Sequence, residues 1–258
     1  SGPTALLWSG GIACALGALF FLLGKARSKQ QGTGAMGRRE ALLLVTSSWF
    51  VGAMISSLPF LLWARMDADE NHPFQSLVNC FFEAMSGLTT TGATILTDIS
   101  TVPAPLLFWR AMIQWLGGLG IVVLFVAVLP SLGVGGKKLF RVEAPGPEPE
   151  GVRPHIRETA RVLWVIYLCL TLVEIVAYKF AGLQWFDASC HALTTLATGG
   201  FSTQNASIGG FDSRLVSVIT IVFMVLASTN FGLFYAAVKG KLKVIWSDPE
   251  FRLYLFLL

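Results

Sequence analysis

The chain alternates long apolar blocks with short polar stretches. Five of the blocks contain about 20 residues each, which lets an α-helix cross roughly 30 Å of hydrocarbon. They cover residues 4–24, 41–63, 105–129, 160–181 and 215–238. Another apolar run begins at Phe251 and continues to Leu258. The pattern therefore predicts five membrane-spanning helices and the start of a sixth.

Two shorter apolar pieces interrupt this pattern, at residues 74–88 and 185–196. At about 1.5 Å per residue, neither piece is long enough for a comfortable span. Each is amphipathic and runs directly into a stretch rich in threonine and glycine. We expect both pieces to be short helices that enter the membrane and return to the same side.

Composition and charge agree with this arrangement. Hydrophobic residues make up 54% of the chain and charged residues 13%, with a mean hydropathy of +0.65, whereas soluble domains contain about 25% charged residues. Most of the 19 lysines and arginines lie in the loops after the first, third and fifth long blocks. The positive-inside rule makes those loops cytoplasmic. This orientation is consistent only if neither short piece crosses the membrane.

The two short pieces belong to an internal repeat. When Asn79 is aligned with Asp187, an offset of 108 residues, the two sequences run on without a gap to Thr94 and Ser202. Each unit predicts a membrane helix, a short pore helix, an irregular loop and a second membrane helix. The predicted fold is therefore an all-α integral membrane protein built from repeated units of this kind.

The two Thr/Gly loops are the candidate ion-binding segments. Irregular backbone at membrane depth is tolerated only where it is buried in protein or lines water. Backbone carbonyls of such a loop can replace the hydration shell of an ion, and glycine permits the backbone angles that direct them to one axis. Neither loop contains a carboxylate, which favours a monovalent cation over a divalent one. The candidate filter residues are Thr90, Thr91, Gly92, Ala93, Thr94, Thr198, Gly199, Gly200, Phe201 and Ser202.

Four stretches carry a resemblance to a known family. Leu88-Thr-Thr-Thr-Gly-Ala-Thr94 and Ala197-Thr-Gly-Gly-Phe-Ser-Thr203 resemble the first and second filters of Trk-type transporters in the Trk/Ktr/HKT potassium transporter superfamily. Gln114-Trp-Leu-Gly-Gly-Leu-Gly-Ile121 resembles the opening of the helix after the first filter. Phe140-Arg-Val-Glu-Ala-Pro-Gly-Pro147 resembles the linker between repeats one and two. These stretches follow the family's order along nearly the whole chain.

The resemblance implies a potassium uptake subunit of the cell membrane, the bacterial inner membrane, and not an enzyme. In this family four repeats surround one pseudo-fourfold pore, and the present chain matches the N-terminal half, about two of the four. The filter glycines would be Gly92 and Gly200, with potassium held at Thr91, Gly92, Gly199 and Gly200. The resemblance also implies a cytosolic nucleotide-binding regulatory subunit, homodimer formation, contact with membrane lipid, no organic cofactor on this chain and no nucleic-acid partner.

The repeat divides the chain into five parts. Residues 1–39 contain an extra N-terminal membrane helix and a cytoplasmic loop, and residues 40–142 form the first pore repeat. Residues 143–156 form a proline-rich cytoplasmic linker, and residues 157–246 form the second pore repeat. Residues 247–258 begin a third repeat.

Polar residues inside apolar segments are candidates for structural or functional roles. Glu83 and His191 occupy the same repeat position, and we expect them to support the pore helices by hydrogen bonds, with a direct place in the ion path as the alternative. Glu174 and Asn230 are expected to form interhelical hydrogen bonds. Arg110 lies near the outer end of its helix, where it can snorkel or pair with a carboxylate.

Other functions remain open alternatives at this point. A less selective potassium/sodium pathway, or an ion-coupled symporter, fits the same filter pattern. A non-transporting assembly subunit is the second alternative, because two repeats cannot surround an ion. A membrane enzyme is disfavoured because no catalytic motif is recognisable. The four cysteines show no CxxC spacing, and small buried apolar residues are their simplest interpretation.

Overall fold

The computed structural model describes residues 2–31, 38–128, 156–229, 233–234, 237, 240 and 242–257. These residues form α-helices and short 3₁₀ turns, with no β-strand among them, which confirms the predicted all-α fold class. The α-helices are α1 Gly2–Gln31, α2 Arg38–Asp67, α3 Leu77–Leu88, α4 Ala104–Val128, α5 Ile156–Phe180, α6 Trp185–Leu196, α7 Arg214–Ala227, α8 Leu242–Ser247 and α9 Pro249–Leu257. The 3₁₀ turns are Pro73–Gln75, Ile99–Thr101 and Ser207–Phe211.

Three helices within the described residues are long and apolar enough to cross a membrane. The spans are Gly2–Leu22 in α1, Leu43–Asp67 in α2 and Arg161–Phe180 in α5. Large apolar side chains on these helices are exposed, for example Phe21 (70%) and Phe180 (86%). Because such exposure is costly in water and costs nothing in hydrocarbon, these faces suit contact with lipid.

The last predicted span differs from the structure. Residues 215–238 were expected to form one helix, but α7 ends at Ala227, and Ser228 follows as its C-terminal cap. The sequence after Ala227 is polar and contains glycine, with Ser228, Thr229, Asn230 and Gly232. Residues of these types favour breaks and caps over helix interiors, and the apolar average of the segment concealed this break.

Each short helix packs among longer ones. α3 lies against α2 and α4, and α6 lies against α4, α5 and α7. Buried aromatic residues fix the entry to α3, where the rings of Phe60 and Phe74 stack with their centroids 4.8 Å apart. Since α4 contacts both short helices, it joins the two repeats and positions their loops next to each other.

Several predicted features lie outside the described residues. These are most of the linker 143–156, the basic residues Lys137, Lys138 and Arg141, and Asn230. The domain boundaries at 39/40 and 156/157 fall inside α2 and α5, and the division into five parts stays a prediction.

Candidate ion-binding site

The loops after α3 and α6 have the same hydrogen-bonding pattern. The Thr91 N–H donates to the carbonyl of Ser86 at 2.9 Å, and the Gly199 N–H donates to the carbonyl of Thr194 at 2.9 Å. In each loop the preceding residue donates to the carbonyl three positions earlier, at 3.0 and 2.9 Å. These bonds close the C-terminal turn of each short helix. Both loops therefore begin at the partially negative end of a helix, where a cation is stabilised.

The backbone angles of the two loops also match. Thr90 and Thr198 have φ values of +53° and +54°, and Gly92 and Gly200 have φ values of +76° and +80°. A positive φ at a non-glycine residue costs about 1–3 kcal/mol and persists only where the surroundings impose it. Positive φ values at every second residue turn successive peptide planes away from the pleat of an ordinary strand. Two loops of unlike sequence that share this strained pattern are typical of a common functional geometry.

The carbonyl groups of the loops fall into two sets. Ala93 and Ser202 have their carbonyls occupied by protein donors, since the former accepts from the Ser86 hydroxyl at 2.6 Å and the latter from Arg110 Nη1 at 3.3 Å. In contrast, the other eight carbonyls of the ten candidate filter residues accept no hydrogen bond from any residue that the structure describes. Six of these eight lie at matching positions of the two loops and belong to Thr90, Thr91, Gly92, Thr198, Gly199 and Gly200. Backbone carbonyls in a membrane need a partner, and these six have no donor among the described protein groups.

Exposure separates the predicted filter residues further. The exposed ones are Thr91, Ala93, Thr94, Thr198 and Gly200, and the partly exposed ones are Thr90, Gly92 and Ser202. Gly199 and Phe201 are buried. The Phe201 ring lies under the Arg110 guanidinium, with Cζ 4.2 Å from the ring centroid. Its side chain therefore supports the loop from behind.

Glu83 ties the first loop to its own helix. Its carboxylate accepts from the Thr94 hydroxyl at 2.8 Å and from the Ile95 N–H at 3.1 Å. It also forms an ion pair with Arg110, with Nε and Nη2 at 2.8 and 2.7 Å from Oε1. Glu83 is fully buried and Arg110 is 1% exposed, so their charges compensate each other away from solvent.

His191 plays the matching part in the second loop. Its Nδ1 lies 2.8 Å from the Asp187 carbonyl, which can only accept, so Nδ1 carries the proton. Its Nε2 then accepts from the Ser202 hydroxyl at 2.9 Å, and Ser202 Oγ accepts from the Gln204 N–H at 3.0 Å. Glu83 and His191 thus hold the hydroxyl at the same position of each loop. The structure places both behind the loops, with hydrogen bonds to protein groups.

Arg110 joins the two loops to each other. Besides Glu83, it reaches the Ser202 carbonyl of the second loop and the Thr94 hydroxyl of the first, each at 3.3 Å. A single guanidinium, with five donors in a fixed plane, can serve several acceptors at once. The sequence indicated a carboxylate partner for Arg110 but gave no sign of this bridge.

Gln114 is a second bridge, which the sequence analysis did not identify as a site residue. Its Oε1 accepts from the Phe201 N–H at 3.1 Å, across 87 residues of sequence. A Cβ added to Gly199 would clash with the Gln114 side chain, and one added to Gly92 would clash with the Gly199 carbonyl oxygen. The two loops therefore approach each other so closely that glycine is required where they meet.

Comparison with known proteins identifies the family. The family model of TrkH, described as "Cation transport protein", matches residues 16–258. The chain belongs to the TrkH family. This confirms the superfamily resemblance, the location in a membrane, and the prediction of a transporter family instead of an enzyme family.

Individual relatives show the same likeness. The chain is 45% identical over 224 residues to the "Trk system potassium uptake protein TrkH" of Escherichia coli K12, covering 86% of this chain and 45% of that protein. It is 42% identical to the TrkH of Halomonas elongata over 250 residues, covering 96% and 49%. The crystal structure of the potassium transporter TrkH from Vibrio parahaemolyticus matches with a TM-score of 0.71 and 38% identity, covering 99% and 55%. The chain spans about half the length of the curated relatives it matches.

Glycines of α4 explain how this TrkH-family chain brings its repeats together. A Cβ at Gly117 would clash with the backbone carbonyl of Leu88, and one at Gly118 would lie 2.8 Å from the Tyr167 hydroxyl and 3.1 Å from Ala197 Cα. Leu88 ends α3 and Ala197 caps α6. Small residues therefore let α4 touch the ends of both short helices, as is common in membrane helix packing.

The segments beyond the loops are also linked across the two repeats. The Ile99 N–H donates to Asn205 Oδ1 at 2.7 Å, and Asn205 Nδ2 donates to the Asp98 carboxylate at 2.9 Å. The bond from Asn205 to Asp98, together with the hydrogen bonds from the Ser100 hydroxyl and N–H, holds the pKa of Asp98 below its ordinary value.

The prediction for one buried polar residue, Glu174, is not confirmed by a hydrogen bond in the structure. An interhelical hydrogen bond was expected, and neither carboxylate oxygen of Glu174 has a partner at hydrogen-bond geometry among the described residues. It lies fully buried in α5, beside the Tyr178 and Thr195 hydroxyls.

Proposed function

We propose that this chain supplies two of the four filter segments of a potassium pore, with Thr90–Gly92 and Thr198–Gly200 as the ion-binding backbone. The observation that carries the proposal is the set of six carbonyls without protein donors, at matching positions of two loops that share their positive φ angles and their first backbone hydrogen bonds. Carbonyl dipoles in such a loop can replace water around a dehydrated monovalent ion. The relatives named as potassium uptake proteins support potassium as the ion.

The geometry around these carbonyls also favours passage over tight binding. No acidic residue belongs to either loop, and Glu83 is neutralised behind the first loop by Arg110. An ion would therefore meet neutral oxygens and two helix C-termini, which attract a cation weakly enough for it to leave again. The remainder of the ring would come from the other half of the protein.

The test is potassium or rubidium flux into proteoliposomes that contain the full-length gene product, with sodium as competitor. Gly92→Ser requires both a positive φ and displacement of the Gly199 carbonyl, whereas a Cβ at Gly200 meets no atom within 4 Å. We expect Gly92→Ser to reduce the potassium preference about tenfold or more, equal to roughly 1.4 kcal/mol. Gly200→Ser should have a smaller effect, because it adds backbone strain without a clash.

Gly182→Ser is the matched control. Gly182 also has a positive φ, +100°, and open space around it, but it lies in the turn between α5 and α6. Its substitution should leave selectivity unchanged. Flux that is unaffected by Gly92→Ser would remove the ion-binding assignment. Equal sodium and potassium flux in the wild type would favour the less selective pathway, dependence on a second ion would favour symport, and no flux from folded protein would favour an assembly subunit.

We also propose, from the family resemblance, that the full protein forms a homodimer and is gated by a cytosolic nucleotide-binding subunit. The candidate docking residues are Lys137, Lys138 and Arg141 in the basic loop between the repeats. Replacing all three with glutamine should weaken capture of the regulator in a pull-down from detergent extracts. Unchanged capture would exclude this basic loop as the docking surface.

A further inference from the structure

A buried polar cluster lies behind the second filter loop, between α5, α6 and α7. The Tyr178 hydroxyl lies 2.7 Å from Thr220 Oγ1 and 3.4 Å from Thr195 Oγ1. Glu174 is one helical turn before Tyr178 on the same face of α5. Glu174 and Tyr178 are fully buried, and both threonines are 8% exposed.

Glu174 is the unexplained member of this cluster. Neither of its oxygens accepts a hydrogen bond from the described residues, and the ion pair found in the described chain joins Arg110 to Glu83. The titratable groups around Glu174 are the phenols of Tyr178 and Tyr167, which supply no positive charge. A buried ionised carboxylate without a cation is strongly unfavourable. The neutral carboxyl, in contrast, has one O–H to donate.

The cluster is directly connected to the filter. Thr195 lies in the last turn of α6, and its carbonyl accepts the Thr198 N–H at 2.9 Å. Thr198 holds a positive φ of +54°, a conformation that depends on the groups around it. A hydrogen bond that fixes the Thr195 side chain therefore also restrains the start of the second filter loop.

The first repeat lacks this support. The residue 108 positions before Thr195 is Gly87. A Cβ at Gly87 would lie 2.5 Å from the Cδ1 atom of Ile113, so an apolar side chain packs where the second repeat has hydroxyls. An acid acting through Thr195 would therefore act directly on the second loop and not on the first.

We propose that Glu174 is a positioning residue for selectivity: as a neutral carboxyl it donates a hydrogen bond to the Tyr178–Thr195 hydroxyl pair and thereby holds the second filter loop. This inference rests on the proposed potassium filter. It assigns Glu174 no contact with the ion and separates it from Glu83, whose charge is paired.

The experiment compares Glu174→Gln, Glu174→Leu and Thr195→Val in the full-length protein, by potassium flux with sodium as competitor. Glutamine supplies an N–H donor in the same volume, so Glu174→Gln should keep the potassium preference within about twofold of the wild type. Glu174→Leu and Thr195→Val should each reduce the potassium preference about fivefold or more. The double variant Glu174→Leu/Thr195→Val should lose no more preference than the more affected single variant, because both substitutions remove the same hydrogen-bonded connection.

A spectroscopic measurement provides independent evidence. The wild type should show an infrared carbonyl stretch of a protonated carboxylic acid that disappears in Glu174→Gln. The absence of this band, or a loss of selectivity in Glu174→Gln equal to that in Glu174→Leu, would overturn the inference. If Glu174→Leu fails to fold, the inference is tested by the selectivity of Thr195→Val and by the loss of the carboxylic acid band in Glu174→Gln. Gly92→Ser distinguishes failure of the filter assignment from failure of this inference. Normal selectivity in Gly92→Ser would remove the filter assignment. Reduced selectivity in Gly92→Ser but unchanged selectivity in Glu174→Leu and Thr195→Val would remove only this inference.

Discussion

Replacing Arg110 with methionine should destabilise the protein more than most single changes in its helices. The substitution keeps much of the side-chain volume but leaves Glu83 buried without its cation. Glu83 is fully buried, and its Oε1 lies 2.7 Å from Arg110 Nη2. The Thr94 hydroxyl and the Ile95 N–H still donate to the carboxylate, so the charge is partly stabilised after the change.

The expected magnitude follows from the burial of this pair. Removing one partner of a buried ion pair typically costs about 3–5 kcal/mol, or roughly two to four orders of magnitude in the folded-to-unfolded ratio. The contact of Arg110 with the Phe201 ring, 4.2 Å from the centroid, adds to this cost. The hydrogen bonds at 3.3 Å to Ser202 and Thr94 are long and contribute less.

The assay is unfolding of the purified full-length protein in detergent, followed by tryptophan fluorescence, with a double-mutant cycle. Glu83→Gln alone leaves Arg110 unpaired, whereas Glu83→Gln combined with Arg110→Met removes both charges. The double variant should be less destabilised than the sum of the single ones by about 2 kcal/mol or more. Arg214→Met is the matched control, because Arg214 is exposed, and it should change stability by about 0.5 kcal/mol or less.

A coupling energy below about 0.5 kcal/mol would refute the reasoning, because the two charges would then act independently. The same variants test the role of Glu83. We expect Glu83→Gln to reduce stability or expression more than it changes the potassium/sodium permeability ratio. A large change in that ratio at normal expression would place Glu83 in the ion path instead.

Two further predictions concern packing and pH. Gly117→Ala should lower the unfolding temperature, because its Cβ would clash with the Leu88 carbonyl, whereas Gly11→Ala, with no atom within 4 Å, should not. The measurement is thermal unfolding of both variants in the same detergent. Equal unfolding temperatures for the two variants would exclude close packing at Gly117. Asn205→Ala should lower stability at pH 7, where it removes the hydrogen bonds to Asp98 and to the Ile99 N–H, and its difference from the wild type should narrow in acid. The reason is that the pKa of Asp98 is depressed mainly by Asn205, so this stabilisation is complete above the ordinary value of about 3.9 and is lost as pH falls through the folded pKa. Unfolding temperatures measured between pH 7 and pH 3 that stay equally far apart would contradict it.

Much of the fold could be predicted from the sequence because a membrane restricts the possible structures. The second short helix has the predicted bounds, Trp185–Leu196, since its apolar pattern, its length and the charge of the flanking loops all pointed to the same segment. The shared φ angles of the two loops likewise follow the predicted alignment, with equal offsets from Thr90 to Thr198 and from Gly92 to Gly200. Local sequence patterns were sufficient where several of them agreed on the same segment.

The contacts between repeats were beyond such rules. Gln114 and Phe201 are 87 residues apart, and Asn205 and Ile99 are 106 apart. Each pair depends on how α4 crosses both short helices, which no periodicity within one segment encodes. Arg110 is a similar case. Its place in an apolar helix suggested a carboxylate partner, but the sequence did not show that its guanidinium hydrogen-bonds to both loops.

The polar residues show where the two repeats have diverged from a common plan. Glu83 and His191 occupy one repeat position and hold matching hydroxyls, although the first is paired with a cation and the second uses a neutral ring. Arg110 supplies the difference, since Val218 stands 108 positions after it and can pair with no acid. A carboxylate at His191 would therefore be buried without a cation, and a histidine at Glu83 would leave Arg110 unpaired. Exchanging these two residues should therefore destabilise both repeats, although each residue occurs naturally at the equivalent position of the other repeat.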